Sequence, residues 1–198
     1  VGAPMFLASR AELVIAQCLA GVVGTFPSLN ARTTEELDTW LTRIGAALAA
    51  AQTVDPGRRI APYGVNLILH PTNTRVAADL ECMARHRVPI VITSVGKPEG
   101  VVKAVHAWGG IVFHDVTTMK FARKALECDV DGLVLVCAGA GGHGGTMNPF
   151  AFVEEVRAEY AGTVLLAGAM STGRAIRAAL DLGADLAYMG TRFLVAQE

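Results

Sequence analysis

What most constrains this chain is a series of short, wholly apolar segments separated by segments of helical period. The apolar runs occupy residues 21–26 (GVVGTF), 63–69 (YGVNLIL), 89–95 (PIVITSV), 109–116 (GGIVFHDV), 132–137 (GLVLVC), 163–169 (TVLLAGA) and 186–194 (LAYMGTRFL). They are apolar throughout rather than at every second position, which predicts strands buried on both faces. Between them lie amphipathic helices. In TTEELDTWLTRIGAALAA, Leu37, Trp40, Leu41, Ile44 and Leu48 share one face, and Thr33 with Glu36 forms a capping box. A second such helix runs from Ser171 or Thr172 to Gly183. Parallel neighbours need a crossover long enough to hold a helix, so this alternation predicts a parallel α/β sheet. The stub GAPM adds an eighth strand, followed by a first helix in SRAELVIAQCLAG. Eight strands favour a (βα)8 TIM barrel over an open doubly wound sheet, which commonly has about five or six.

The expected organisation is one barrel domain over residues 1–198, cut at both ends. VGAPMF carries neither an initiator Met nor a targeting segment, and FLVAQE stops on an apolar run without a closing helix or the region that would follow it. With 52% hydrophobic residues and a mean hydropathy of +0.41, the chain cannot be disordered. Its 17 Lys and Arg against 18 Asp and Glu are scattered, which excludes a nucleic-acid footprint and a basic membrane-binding surface. The longest apolar stretch, LVIAQCLAGVVGTF, is shorter than the roughly 20 residues a membrane span needs. Cys18, Cys82, Cys128 and Cys137 are far apart with no C-x-x-C pair, which reads as reduced core thiols in a cytoplasmic protein.

In a barrel the chemistry sits where strands end and helices begin. There the chain places Gly168 and Ala169 ahead of a helix opened by Ser171 and Thr172, and Gly190 with Thr191 one strand later. Small residues at those positions let backbone N–H groups face a phosphate, although glycine also serves ordinary turns. In AGAGGHGGTMNPF, His143 is flanked by Gly139, Gly141, Gly142, Gly144 and Gly145. Such a loop allows close approach to a flat ligand, and an imidazole moves protons near neutral pH; the alternative is a solvated loop histidine. No Cys, Asp or Glu stands nearby at metal-ligand spacing, so no metal is expected. His114 and Asp115 face the same mouth, either as an orienting pair or as strand-end caps. Asn66, inside an apolar strand, bonds neighbouring backbone or a ligand's polar edge. His70, His86 and His106 read as structural or solvated.

With APMF, GVNL, AGAGGHGGT, LLAGAMSTG and GADLAYMGTRFL in order, the chain resembles the nitronate monooxygenase family, formerly 2-nitropropane dioxygenases. The resemblance runs from Ala3 to Glu198, and GGHGG followed by MGTRF is its specific part. It implies an FMN-dependent (βα)8 barrel that oxidises alkyl nitronates with dioxygen to a carbonyl compound and nitrite. Carried over by position, His143 matches the family's base, Asn66 its flavin-contacting Asn, and Met5 a first-strand residue near the flavin. Gly141 and Gly142 match the loop beside the ring, and Gly168, Met189, Gly190 and Thr191 the phosphate-end contacts. Ala169, His114 and Asp115 complete the expected cofactor set. Three departures stand out: Ala169 where the family loop has a second Gly, Asp115 where some relatives carry Lys, and no region after GTRFL. The partners implied are a small nitronate and dioxygen, compatible with homo-oligomer formation. Two other readings stay open: an NAD(P)H-dependent quinone or enoyl-thioester reductase on the same FMN barrel, and a flavin-binding barrel without turnover.

Overall fold

The computed structural model describes residues 1–142 and 144–197. Strands β1 (Gly24–Pro27), β2 (Tyr63–Ile68), β3 (Ile90–Ser94), β4 (Ile111–Val116), β5 (Gly132–Val136), β6 (Thr163–Ala167) and β7 (Leu186–Tyr188) form one sheet. Every pair is parallel and in chain order. Helix α1 (Ala11–Leu19) precedes β1, and each later gap holds a crossover helix. These are α2 (Thr34–Val54), α3 (Val76–Arg85), α4 (Glu99–Ala107), α5 (Met119–Leu126), α6 (Pro149–Glu159) and α7 (Gly173–Asp181). Among the described residues, no helix is long and apolar enough to cross a membrane.

The sheet curls, and residues 1–3 reach both ends of the strand order. Gly2 N donates to Val23 O beside β1 at 2.8 Å, and Ala3 N donates to Met189 O beside β7 at 2.8 Å. The expected strand in GAPM is therefore reduced to one parallel bridge, Gly2 to Met189. The run at 186–194 also departs from expectation. β7 ends at Tyr188 and Thr191–Val195 forms a 3-10 turn, leaving Leu194 and Val195 exposed.

Strand side chains alternate between two apolar layers. Val65, Leu67, Val91, Val112 and Leu133 pack outward against the helices, while Ile90, Ile92, Phe113, Val134, Leu165 and Tyr188 fill the concave side. Gly132 makes the inner layer possible, because a Cβ there would lie 2.7 Å from both the Phe113 ring and Thr163 O. Helix entries follow their sequence signals. Thr33, Thr118 and Thr172 accept from the backbone N–H groups of Glu36, Phe121 and Ala175. Glu36 closes its half of the Thr33 box one residue early, on Arg32 N at 2.7 Å.

The repeated entries ECDVDGLVL and DLGADLAYM build the same clamp twice. Asp131 Oδ2 accepts from Val112 N at 2.7 Å while Asp131 N donates to Val112 O at 2.8 Å. Asp185 repeats this on Val164, at 2.8 Å and 2.9 Å. Each clamp aligns one strand's entry with the preceding strand. Replacing Asp131 with Ala strands a backbone donor and removes a charged acceptor, so urea unfolding should show a loss of about 2 kcal/mol.

Candidate functional site

A cavity of about 1410 Å³ opens where the strands end, lined by residues from all seven strands, β1 to β7, and by loops that follow them. Met5, Asn66, His114, Asp115, Gly141, Gly142, Gly168, Ala169, Met189, Gly190 and Thr191 all lie on its wall. One fold-level fact explains the convergence: in a parallel sheet every strand ends on the same side. His143 falls outside the described residues.

The loops from β5 and β6 interlock at this wall. Ala169 N donates to Gly139 O at 3.0 Å, and Ala140 N closes a turn on Cys137 O at 3.1 Å. Gly139 has φ +85° and Gly168 φ +138°; a Cβ would meet Ala169 Cβ at 2.9 Å in the first and Ala138 O at 2.9 Å in the second. Ala169, where glycine was the family expectation, adopts φ 52° and keeps the close approach in spite of its methyl. Val95, on the same cavity, has φ 58°, and Leu7 next to the lining residue Phe6 has φ 64°. Left-handed backbone costs an L-residue about 1–2 kcal/mol, and three of the five non-glycine residues with positive φ among the described residues, Leu7, Val95 and Ala169, lie at or beside the mouth, while Arg87 and Asp129 lie away from it.

His114 and Asp115 do not behave as a pair. His114 shares the strand parity of Val112 and Val116 in the outer layer, and Asp115 that of Phe113 in the inner one. The His114 ring bonds the Thr93 hydroxyl through Nδ1 at 2.8 Å, and Thr118 rather than either residue caps α5. Both sequence readings of the dipeptide, orienting pair and strand-end cap, therefore give way to strand alternation. Burial drives the His114 pKa down to about 4, so the ring is neutral at pH 7.

Asp115 belongs instead to a chain of hydrogen bonds along the cavity floor. Asn66 Nδ2 donates to Ile92 O at 3.0 Å and to Ser94 Oγ at 2.6 Å, and Ser94 Oγ donates to Asp115 Oδ2 at 2.5 Å. The second carboxyl oxygen, Oδ1, and the Tyr188 hydroxyl have no partner among the described residues although both atoms are buried. Burial lifts Asp115 to about 6 against the lowering pull of Ser94. Burial, followed by the charge of Asp115, raises Tyr188 well above its ordinary value. Ser94 and Tyr188 were not singled out in the sequence. The available signal was parity, since Ser94 continues the inward-facing series of Ile90 and Ile92.

Outside the cavity, Asp38, Cys82 and His86 bring ligand-type atoms within 4.8 Å of one another. Asp38 Oδ1 is engaged by Arg85 at 3.0 Å and His86 Nε2 at 2.9 Å, so the cluster serves as an ionic tie between α2 and α3. His106 likewise bonds Asp131 at 2.8 Å and the exposed His70 bonds Thr72 at 2.8 Å, in keeping with structural or solvated roles. All four cysteines are free and buried, and burial raises the thiols of Cys82 and Cys137 to about 11.

His114 and Asp115 give opposite pH dependences. Between about pH 4 and 6.5 the unfolded chain holds a proton on His114 that the fold excludes, so this residue favours the fold more as pH rises. Between 3.8 and about 6 the fold holds a proton on Asp115 that the unfolded chain lacks, so its contribution is lost as pH rises. In wild type the two should largely offset each other. Urea titrations of Asp115→Asn from pH 4 to 6 should then show stability climbing by up to about 1.4 kcal/mol per pH unit. A separate substitution, Gly139→Ala, should cost about 1–3 kcal/mol through its positive φ and the contact with Ala169, measured by thermal or urea unfolding.

The chain is similar to known proteins in sequence and in fold. The family model described as "Nitronate monooxygenase" matches residues 42–198. A nitronate monooxygenase of Neurospora crassa is 29% identical over the whole chain, covering 60% of its own length. A (3aS,4S,5R,7aS)-5-hydroxy-7a-methyl-1-oxo-octahydro-1H-indene-4-carboxyl-CoA dehydrogenase of Mycobacterium tuberculosis is 28% identical over 95% of the chain and 50% of its own length. Among solved structures, FabK from Thermotoga maritima superposes with TM-score 0.82 at 27% identity, over 98% of this chain and 58% of its own. A nitroalkane oxidase from Streptomyces ansochromogenes, at 23% identity and TM-score 0.80 over 98% of this chain and 65% of its own, shares the fold. The chain thus spans about half to three fifths of the curated relatives that cover nearly all of it. With the family match extending from within α2 across every cavity loop from β2 to β7, the chain belongs to the nitronate monooxygenase family.

Proposed function

We propose that residues 1–198 form a single (βα)8 barrel domain, with residues 1–3 in the first-strand position, that binds FMN and oxidises an alkyl nitronate with dioxygen to a carbonyl compound and nitrite. The observation carrying this reading is the convergence, in one cavity of a nitronate monooxygenase family chain, of glycine-lined loops with a polar floor. The fit to a flat cofactor is favourable. Gly141 has nothing nearer than 4.0 Å to a built Cβ and Gly142 has open space, so both leave room for a ring face. The buried Oδ1 of Asp115 and hydroxyl of Tyr188, without partners among the described residues, suit a ligand whose edge carries polar atoms.

In this reading Gly168, Ala169, Met189, Gly190 and Thr191 hold the phosphate end, Met5, Asn66, Asp115, Gly141 and Gly142 surround the ring, and His114 contributes to the wall from the outer side of β4. FMN, when bound, supplies the two-electron chemistry and the reaction with dioxygen. The chain's own task is to bind, orient and move a proton. Where the neutral nitroalkane binds, His143 takes the proton from the carbon beside the nitro group, whose acidity comes from delocalisation onto the nitro oxygens, and so forms the nitronate that is oxidised; one imidazole is sufficient for that transfer. Asn66, fixed by Ile92 O and Ser94 Oγ, presents a preset amide to the ligand edge rather than one that must reorganise.

A second reading is reduction or dehydrogenation of a thioester, with NAD(P)H as transient partner in the same mouth. The similarity to the Mycobacterium tuberculosis carboxyl-CoA dehydrogenase favours it, as do Lys97 and Lys124 on the cavity lining, which suit an anionic tail. Adding a nitronate or NAD(P)H anaerobically to the FMN-loaded protein separates the two, because the true reductant bleaches the yellow band. We expect the nitronate to do so. His143→Ala should lower turnover of the neutral nitroalkane by about 10²–10⁴-fold while FMN stays bound, checked by steady-state oxygen consumption and the visible spectrum.

A further inference from the structure

We propose that Asp115 and Tyr188 form a proton-bearing docking point for the edge of the bound flavin ring, the carboxyl donating from Oδ1 to a ring acceptor and the phenol supplying a second donor. This rests on the flavin reading of the cavity. The two groups come from strands on different sides of the cavity, β4 and β7, and both line it. Each is buried and each ends in an oxygen without a partner among the described residues. Asp115 cannot swing away, because Ser94 holds Oδ2 at 2.5 Å and Asn66 in turn holds Ser94 at 2.6 Å. Oδ2 is anchored, and Oδ1 is left without a partner among the described residues on a side chain that lines the cavity.

Burial favours the protonated form of the carboxyl, and the Ser94 hydroxyl alone pulls the other way. From β3 it meets the Ser94 hydroxyl; on β5 its register partner is Val134; from β7 the Tyr188 phenol feels its charge. His114 follows the outer parity of β4 and is neutral at pH 7. Lys97, Lys124 and Glu127 also line the cavity, yet no ion pair among the described residues joins a cation to Asp115, and Lys97 is paired with Glu99 at 2.7 Å. With no cation to hold it ionised, the carboxyl already keeps its proton to about pH 6. A ring whose edge presents a carbonyl oxygen or a ring nitrogen to the carboxyl accepts its proton in a hydrogen bond and strengthens that preference. Binding then takes up a proton.

The test is riboflavin binding to the full chain freed of flavin, followed by fluorescence from pH 5 to 8.5, with proton uptake measured in weakly buffered solution. Riboflavin avoids the phosphate ionisation of FMN, which falls near pH 6. The expected result is a Kd that is flat below about pH 6 and rises by up to tenfold per pH unit above it, with uptake approaching one proton per flavin. Asp115→Asn should flatten the curve and abolish the uptake, and Tyr188→Phe should weaken binding at every pH but keep the slope. A flat wild-type curve, tightening as pH rises, or a slope that survives in Asp115→Asn overturns the proposal and leaves flavin binding standing. FMN titrated in parallel must show wild type steeper than Asp115→Asn; equal slopes overturn the proposal as well. Absence of binding by both FMN and riboflavin at every pH overturns this inference together with the flavin reading.

Discussion

The ladder of parallel backbone hydrogen bonds governs everything else in this structure. Because each strand pairs only with its neighbours in the chain and in one direction, every helix must return along the outside. Both faces of the sheet are then covered, and all strand exits come together. The cavity is a consequence of that directionality, since residues as distant in sequence as Met5, Asp115 and Thr191 share one wall. The Asp131 and Asp185 clamps work at the opposite end, where strands enter, and leave the exits free of such ties. The strand entries are tied at one rim and the cavity opens at the other.

The floor of the cavity shows how an apolar interior accommodates polar groups. Ile90, Ile92, Phe113 and Leu165 fill the inner layer below, and the next inward positions on neighbouring strands are Asn66, Ser94 and Asp115. Each satisfies the next, so the cost of burying them is met by hydrogen bonds along the row. The row ends at an unanswered oxygen. An orphaned acceptor or donor in a buried site costs free energy comparable to a lost hydrogen bond, which a ligand with the complementary atom can recover.

Much of the fold was legible because fully apolar strands and capped amphipathic helices are strong local signals. Leu37, Leu41 and Ile44 are buried along one face of α2 as their spacing requires, and all seven long apolar runs contain strands. Two segments misled for one shared reason, that an apolar run by itself does not fix backbone form. In GTRFLV the apolar residues belong to an exposed 3-10 turn, and in GAPM a single bridge replaces a strand. The expected cofactor positions do gather in one cavity, because chain position alone determines which end of the sheet a residue occupies. Side-chain direction was not legible in the same way. His114 and Asp115 are adjacent letters with opposite surroundings, and only the register of β3 with β4 reveals that Thr93 faces one while Ser94 reaches the other.

The left-handed residues at the mouth separate two properties that usually move together. Val95 and Ala169 keep conformations that glycine would adopt without cost, so glycine at either position would relieve the folded chain. It would also let each loop sample other shapes before a ligand arrives, and ordering those shapes would be charged against binding. A strained but rigid rim is preorganised. At these two positions a substitution that relieves the fold would also loosen the rim of the cavity, so local stability and preorganisation pull in opposite directions.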